Sequence, residues 1–210
     1  MNIVAIDSIT PALSVAASGP RGKAIVTVTE GSQHAENMIS LIEKAIDLAG
    51  FAARETNLVC CAEGPGSFTG LRLAYSAAKA IQLSSNCKLF PIPPLELYAK
   101  AAGAFHGVVI SVMDAKKQRF YAQFFRMGSK VTEALDIAAS ECAAYVDPSE
   151  RIAVTGPDAA IFAEELSAFL PNSDITSLPS GTEGISGAMI SFAETAYTDY
   201  NDPVPDHAGP

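Results

Sequence analysis

The 210-residue chain predicts an α/β protein with a mixed sheet and helices on its faces. Two observations carry that prediction. Three β signals joined by tight turns, at Asn2–Asp7, Ser14–Ala17 and Lys23–Thr29, describe an antiparallel meander. From Gln33 to Ala101 the pattern then alternates between helix and strand, which builds parallel pairs onto that meander.

The first turn of the meander is short, and the second is the run Ser18-Gly19-Pro20-Arg21-Gly22. In Gln33–Ala49, Met38, Ile39, Ile42, Ala45, Ile46 and Ala49 recur at helical spacing. Ser32 is placed to cap this helix, Glu36 suits its first turn and Gly50 stops it. Ala35 sits where a capping box would need Glu. Asn57–Ala62 is a buried strand, and a helix marked by Leu71, Ala74, Tyr75, Ala78 and Ile81 follows. Lys88–Ile92 is the next strand, and Pro93-Pro94 opens a helix running through Leu97 and Ala101.

The second half is a shortened topological echo without a recognisable sequence repeat. Strands at Val108–Met113, Arg119–Phe125 and Lys130–Glu133 form a second meander, with Asp114 ending its first strand as Asp7 ends the first strand of the chain. A strand at Arg151–Thr155 and helices at Asp158–Phe169 and Ile185–Tyr197 complete it. The expected division is a first lobe over 1–103 and a smaller lobe over 104–183. The helix at 184–198 packs back on the first lobe, and the tail over 199–210 is extended.

Apolar types make up 49% of the chain and charged types 18%, enough for a sizeable core. With 23 acidic against 14 basic residues the net charge is −9, which argues against strong autonomous binding to tRNA or another polyanion. The densest basic spots, Arg21-Lys23 and Lys116-Lys117-Arg119, are short. Cys60, Cys61, Cys87 and Cys142 include no C-x-x-C pair; adjacent Cys60 and Cys61 face opposite sides of a strand and cannot share a metal. The N-terminus lacks the pattern of a secretory leader, and no apolar run reaches membrane-span length. A cytoplasmic protein is expected.

Gly64-Pro65-Gly66-Ser67-Phe68-Thr69-Gly70 is the most informative segment. Gly64 and Gly66 permit positive φ, Pro65 stiffens the turn, and Ser67 or Thr69 can cap the helix that follows. Such a turn either holds a phosphate or carboxylate on free N–H groups or serves as a structural turn and contact surface. It lacks the Lys of a Walker loop and the spacing of a dinucleotide fingerprint. The helix after it is rich in small residues, including Ala74, Ala77 and Ala78, so another helix can approach closely. Asp7 and Asp114 stand where two-lobed kinases hold a metal–phosphate group, and equally where any strand ends in Asp. His34, His106 and His207 form no H-E-x-x-H pair, and Ser67 is not in G-x-S-x-G, so no catalytic residue is identified.

The motif Gly64–Arg72 (G-P-G-S-F-T-G-L-R), with Ile3–Ser8 (I-V-A-I-D-S) and Asp114-Ala115-Lys116 before a strand holding Tyr121, resembles the TsaB (YeaZ) family. The likeness is clearest over residues 3–126. It implies an actin-like (sugar kinase/Hsp70-type) fold of two RNase H-like lobes with the second reduced. It also implies a non-catalytic scaffold for making threonylcarbamoyladenosine beside the anticodon of tRNAs reading codons that begin with A. The catalytic paralogue TsaD holds its metal through an H-x-x-x-H pair; the matching positions here are Pro94 and Tyr98, which implies no metal site. Asp7, Ser8, Gly64 and Gly66 are then vestigial nucleotide contacts, with no cofactor expected beyond a nucleotide at an interface between subunits.

The resemblance implies pairing with a TsaD-type transferase or, in isolation, a second copy. Met38 and Ile42 of the first helix and Phe68, Leu71, Ala74, Tyr75 and Ala78 of the second would make the contact. A TsaE-type P-loop ATPase is the implied third component. The competing readings are a glycoprotease-like peptidase and a nucleotide-dependent kinase. The first lacks a nucleophile or metal pair, and the second has only Gly156 in its other lobe to offer as a phosphate loop.

Overall fold

The computed structural model describes residues 1–29 and 33–199. The first sheet is built from β1 (Ile3–Asp7), β2 (Leu13–Gly19), β3 (Gly22–Val28), β4 (Leu58–Ala62) and β5 (Lys88–Ile92), in the order β3-β2-β1-β4-β5. β2 runs antiparallel to both β1 and β3, while β4 lies parallel to β1 and β5. Pro91 is tolerated because β5 is an edge strand.

The second sheet repeats this plan. It contains β6 (Val108–Lys116), β7 (Arg119–Arg126), β8 (Ser129–Lys130), β10 (Ile152–Gly156) and β11 (Ile175–Pro179), ordered β11-β10-β6-β7-β8, with β9 (Leu135–Ile137) also on β7. β7 is antiparallel to β6, and β10 is parallel to both β6 and β11. In each lobe the first strand is central, a meander lies on one side and two parallel strands on the other. This is the RNase H-like lobe, and its duplication is the actin-like fold.

Helices α1 (His34–Ala49) and α2 (Phe68–Ser85) cover one face of the first sheet. Their inward residues, among them Met38, Leu41, Ile42, Ala45, Ala74, Ala78 and Ile81, pack on Val4, Ile6, Val15 and Val59. Gly50 stops α1 at φ 83°, and Asn86 stops α2 in the same left-handed region. Gln33 stands at the N-terminus of α1 without a side-chain cap; the proposed cap Ser32 lies outside the described residues. In the second lobe α4 (Ala159–Phe169) plays the part of α2, but only a 3₁₀ turn over Ala139–Ala144 stands where α1 would be. That is the reduction of the second lobe.

Two helices exchange lobes. α3 (Pro94–Ala101) follows the last strand of the first sheet yet packs on β6, β7 and β10. α5 (Ser186–Asp199) follows the last strand of the second sheet and packs on β1, β2 and β4. Between them lies a core of Ile3, Ala5, Leu58, Cys60, Leu95, Tyr98, Met189 and Ile190. Cys60 belongs to this core and Cys61 to that under α1 and α2, the opposite faces that strand alternation dictates.

Three expectations differ. β6 does not stop before Asp114; it continues through a bulge to Lys116. The strand expected at Lys130–Glu133 is instead the pair Ser129–Lys130 and Leu135–Ile137. β11 went unseen, since I-T-S-L-P is five residues long, ends in Pro and lies on an edge. The tail beyond 199 lies outside the described residues.

Candidate functional site: the cleft between the lobes

The two central strands aim their carboxyl ends at one cleft of about 1100 Å³. Its walls come from the β1–β2 turn (Ser8–Pro11), the glycine turn (Gly66–Gly70), the start of α1 at His34, the Asp114–Lys116 end of β6, and Pro157-Asp158 before α4. The cleft therefore collects the turns that each lobe places after its parallel strands, the usual location of a site in such sheets.

The glycine turn is used differently from either sequence expectation taken alone. Gly64 has φ +108°, but Gly66 does not need positive φ; it needs space, because a Cβ there would lie 2.8 Å from Cβ of Ile9. At Gly70 a Cβ would lie 1.9 Å from the carbonyl oxygen of Ser8. The β1–β2 turn packs directly on the glycine turn. Ser67 N–H donates to the Ile9 carbonyl at 3.3 Å, and Ser8 Oγ donates to the Gly70 carbonyl at 2.8 Å. Ser67 Oγ accepts from Gly70 N–H and caps α2. Much of the turn's hydrogen-bonding capacity is spent inside the lobe.

Asp7 is wholly buried. Its Oδ1 accepts from Ile9 N–H at 3.1 Å and its Oδ2 from Ile185 N–H at 2.8 Å, so it clasps the segment that leads into α5. Burial pushes its pKa up to about 6 against the opposing pull of those two N–H groups and of His34. Asp114 is half-exposed. Lys116 bonds to it through Nζ at 2.7 Å and through its backbone N–H, holding its pKa below the usual carboxylate range. The Asp114 N–H donates to Asp158 Oδ2 at 2.8 Å. Gly156 is fixed by packing, since a Cβ would lie 2.1 Å from the Val112 carbonyl oxygen.

The residues expected at a partner interface divide in two. Phe68 and Tyr75 are exposed and Leu71 is half-buried. Met38, Ile42, Ala74 and Ala78 are core instead, because these are the helix positions that face the sheet. The expected interface set omits the exposed apolar residues Ile39 and Leu48 on α1 and Leu83 on α2, the last 84% exposed. Pro94 and Tyr98 are both buried, and Tyr98 contributes to the core between the lobes. Burial raises the pKa of Cys60, Cys61 and Cys142 well above the thiol range. Among the described residues no group of three His, Cys, Asp or Glu side chains is placed to hold a metal ion. No helix among them is long and apolar enough to cross a membrane.

Fold and cleft together define a two-lobed actin-like protein whose first-lobe carboxylate is engaged internally. The family model described as TsaD, tRNA N6-adenosine threonylcarbamoyltransferase, matches residues 24–196, and the chain belongs to this family, on its TsaB (YeaZ) branch. It is 25% identical over 123 residues to the tRNA threonylcarbamoyladenosine biosynthesis protein TsaB of Haemophilus influenzae, covering 58% of this chain and 52% of that one. The chain spans about half the length of the curated TsaB relatives it matches. YeaZ from Pseudomonas aeruginosa superposes with a TM-score of 0.71 at 19% identity, covering 94% of this chain and 92% of that one. A second solved structure, described as an uncharacterized protein with similarity to peptidase YeaZ from that organism, gives 0.74 at 18% identity over 100% and 97%. These two likenesses show the fold.

Proposed function

We propose that this chain is a non-catalytic accessory subunit for forming threonylcarbamoyladenosine in tRNA, acting in the cytoplasm by pairing with a TsaD-type transferase. The observation that carries the reading is the outer face of α1 and α2. Phe68, Tyr75 and Leu83 follow one another about every two turns along the outer side of α2, exposed by 72%, 37% and 84%, with Ile39 and Leu48 exposed on opposite flanks of α1. Large apolar side chains aligned on one helical stripe are the mark of an interface. Arg72 lies over the Phe68 ring at 5.5 Å and Lys79 continues the stripe, while α1 offers Glu36, Glu43 and Asp47 against the one lysine Lys44.

That arrangement of an acidic helix beside a basic one is self-complementary, which supports a homodimer when the chain is alone. A TsaE-type P-loop ATPase is the proposed third component. The net charge of −9 supports leaving tRNA contact to the partner. An accessory role is also supported by Asp7 and Ser8, whose side chains are engaged by backbone partners, and by the raised pKa values of Cys60, Cys61 and Cys142. A peptidase reading has no activated nucleophile among the described residues to support it.

The test is co-expression of the tagged chain with its transferase, carrying Tyr75→Asp with Leu83→Asp. The expected outcome is lost co-purification and lost threonylcarbamoyladenosine in tRNA nucleosides, with an unchanged unfolding midpoint. Retained pairing and normal modification would refute the interface, and transferase activity by the isolated chain would refute the accessory role.

A further inference from the structure

The first sheet ends on β3 at one side and on β5 at the other. Pro91 blunts β5, but β3 carries no Pro, and its register with β2 runs unbroken from Gly19↔Gly22 to Leu13↔Val28. An edge of that kind is one that proteins cover. Pro20-Arg21 is a two-residue hairpin turn, so Gly19 and Gly22 form the hydrogen-bonded closing pair. Alternation then turns the N–H and C=O groups of Gly22, Ala24, Val26 and Val28 to β2, and those of Lys23, Ile25 and Thr27 outward. Among the described residues no strand or other backbone group pairs with these outward groups.

The side chains of the same three residues lie on the α5 side of the sheet. Lys23 Nζ is 2.6 Å from Glu194, and Thr27 Oγ1 donates to Ser14 Oγ at 3.0 Å. Ile25 lies so close to α5 that a Cβ on Gly187 would meet its Cδ1 at 2.5 Å, yet Ile25 is 60% exposed. Beside it opens an apolar hollow of about 360 Å³ formed with Leu97, Ala101, Ile185 and Ala188. The edge thus offers unpaired backbone groups and an uncovered apolar surface together.

What can cover it is set by where α5 leads. Ser18 Oγ and Lys23 Nζ both donate to Glu194, so α5 runs past the Lys23 end of β3 before it stops at Asp199. Residues 200–210 follow (Y-N-D-P-V-P-D-H-A-G-P). Extended, they reach roughly 35 Å, against about 23 Å for β3. Their prolines suit the position. Pro203 and Pro205 are two apart, so in a strand both lack N–H groups on one side, while Asp202, Val204 and Asp206 present theirs on the other. Such a segment pairs through one side only, completing an edge without offering a new one.

We infer that residues 200–210 add to β3 as a parallel edge strand. The N–H groups of Asp202, Val204 and Asp206 face the outward carbonyls of β3, and the rings of Pro203 and Pro205 lie on the side of Ile25. The β3 edge is separate from the outer face of α1 and α2, so the inference stands apart from the pairing proposed above.

The experiment measures amide hydrogen exchange along β3 by NMR on the ¹⁵N-labelled full chain, without a C-terminal tag, and on Val204→Pro, which removes the central N–H. In the wild type the amides of Lys23, Ile25 and Thr27 should exchange at least about tenfold more slowly than in the variant. Those of Ala24, Val26 and Val28 should stay unchanged. Pro203→Ala with Pro205→Ala should keep the protection, since those positions face outward. Equal exchange of the three amides in wild type and Val204→Pro would overturn the inference. So would a loss spread evenly over all of β3, which reports a loosened strand rather than a bared edge. Protection that survives Val204→Pro and grows with protein concentration would also overturn it, and would give the edge to a second copy.

Discussion

The two lobes carry the same strand order but opposite carboxylates at the ends of their central strands. Asp7 is sealed, raised in pKa to about 6 and bonded only to backbone N–H groups; Asp114 is half-exposed, lowered and paired with Lys116. The cause lies in what each lobe received from the other. α5 and its entry segment cross onto the first sheet and close over Asp7, whereas Asp114 faces the cleft. Topological equivalence thus does not carry chemical equivalence. A residue's role follows from the segment that covers it.

The largest effect should come from the close backbone approaches. Gly70→Ala forces a Cβ onto the Ser8 carbonyl, and Gly156→Ala forces one onto the Val112 carbonyl at φ +115°. Each should cost about 3–5 kcal/mol in denaturant unfolding, and a difference of several kcal/mol between them would break the parallel between the lobes. Asp7→Ala strands the N–H groups of Ile9 and Ile185 and should cost about 2–3 kcal/mol. Asp114→Ala should cost less than about 1 kcal/mol, as an exposed pair does. Equal losses would erase the contrast.

A further effect is one of pH. Asp7 has a folded pKa above its ordinary value of 3.8, so the folded state holds its proton more tightly than the unfolded one. Its contribution is therefore favourable below about pH 4 and is lost as pH rises through 6. His34 and the Tyr98 hydroxyl are the other titratable groups acting on it or feeling it. Subtracting the stability of Asp7→Asn from that of the wild type at pH 4.5, 5.5 and 6.5 should give a difference that moves against the wild type by about 1–2 kcal/mol across that window. A flat difference would show that Asp7 titrates normally.

Much of this architecture was legible because it rests on period. The first meander, the first two strands of the second, the helical spacing at Met38, Ile42, Ala45 and Ile46, and the stop at Gly50 follow from local rules. The division of labour within the helices was less so. Periodicity marked Met38, Ile39, Ile42, Ala74 and Ala78 as apolar without telling core from exposed face; the outward Leu83 breaks the pattern of α2, and that break was the usable signal. The clasp of Asp7 by Ile185 was invisible, because it joins positions 178 residues apart through a backbone N–H that no sequence motif encodes. Gly66 and Gly70 were legible as special but not as packed, since the reason for each is a partner backbone in another turn.

The exchange of α3 and α5 has a consequence in time. The first sheet, finished at β5, must wait for α5 before its inner face is covered, and α5 ends at Asp199. At translation rates of about 5–20 residues per second, that face stays bare for on the order of ten seconds on every ribosome. The nascent lobe is then a client for any chaperone that recognises open apolar sheet, and α5 is the helix that releases it.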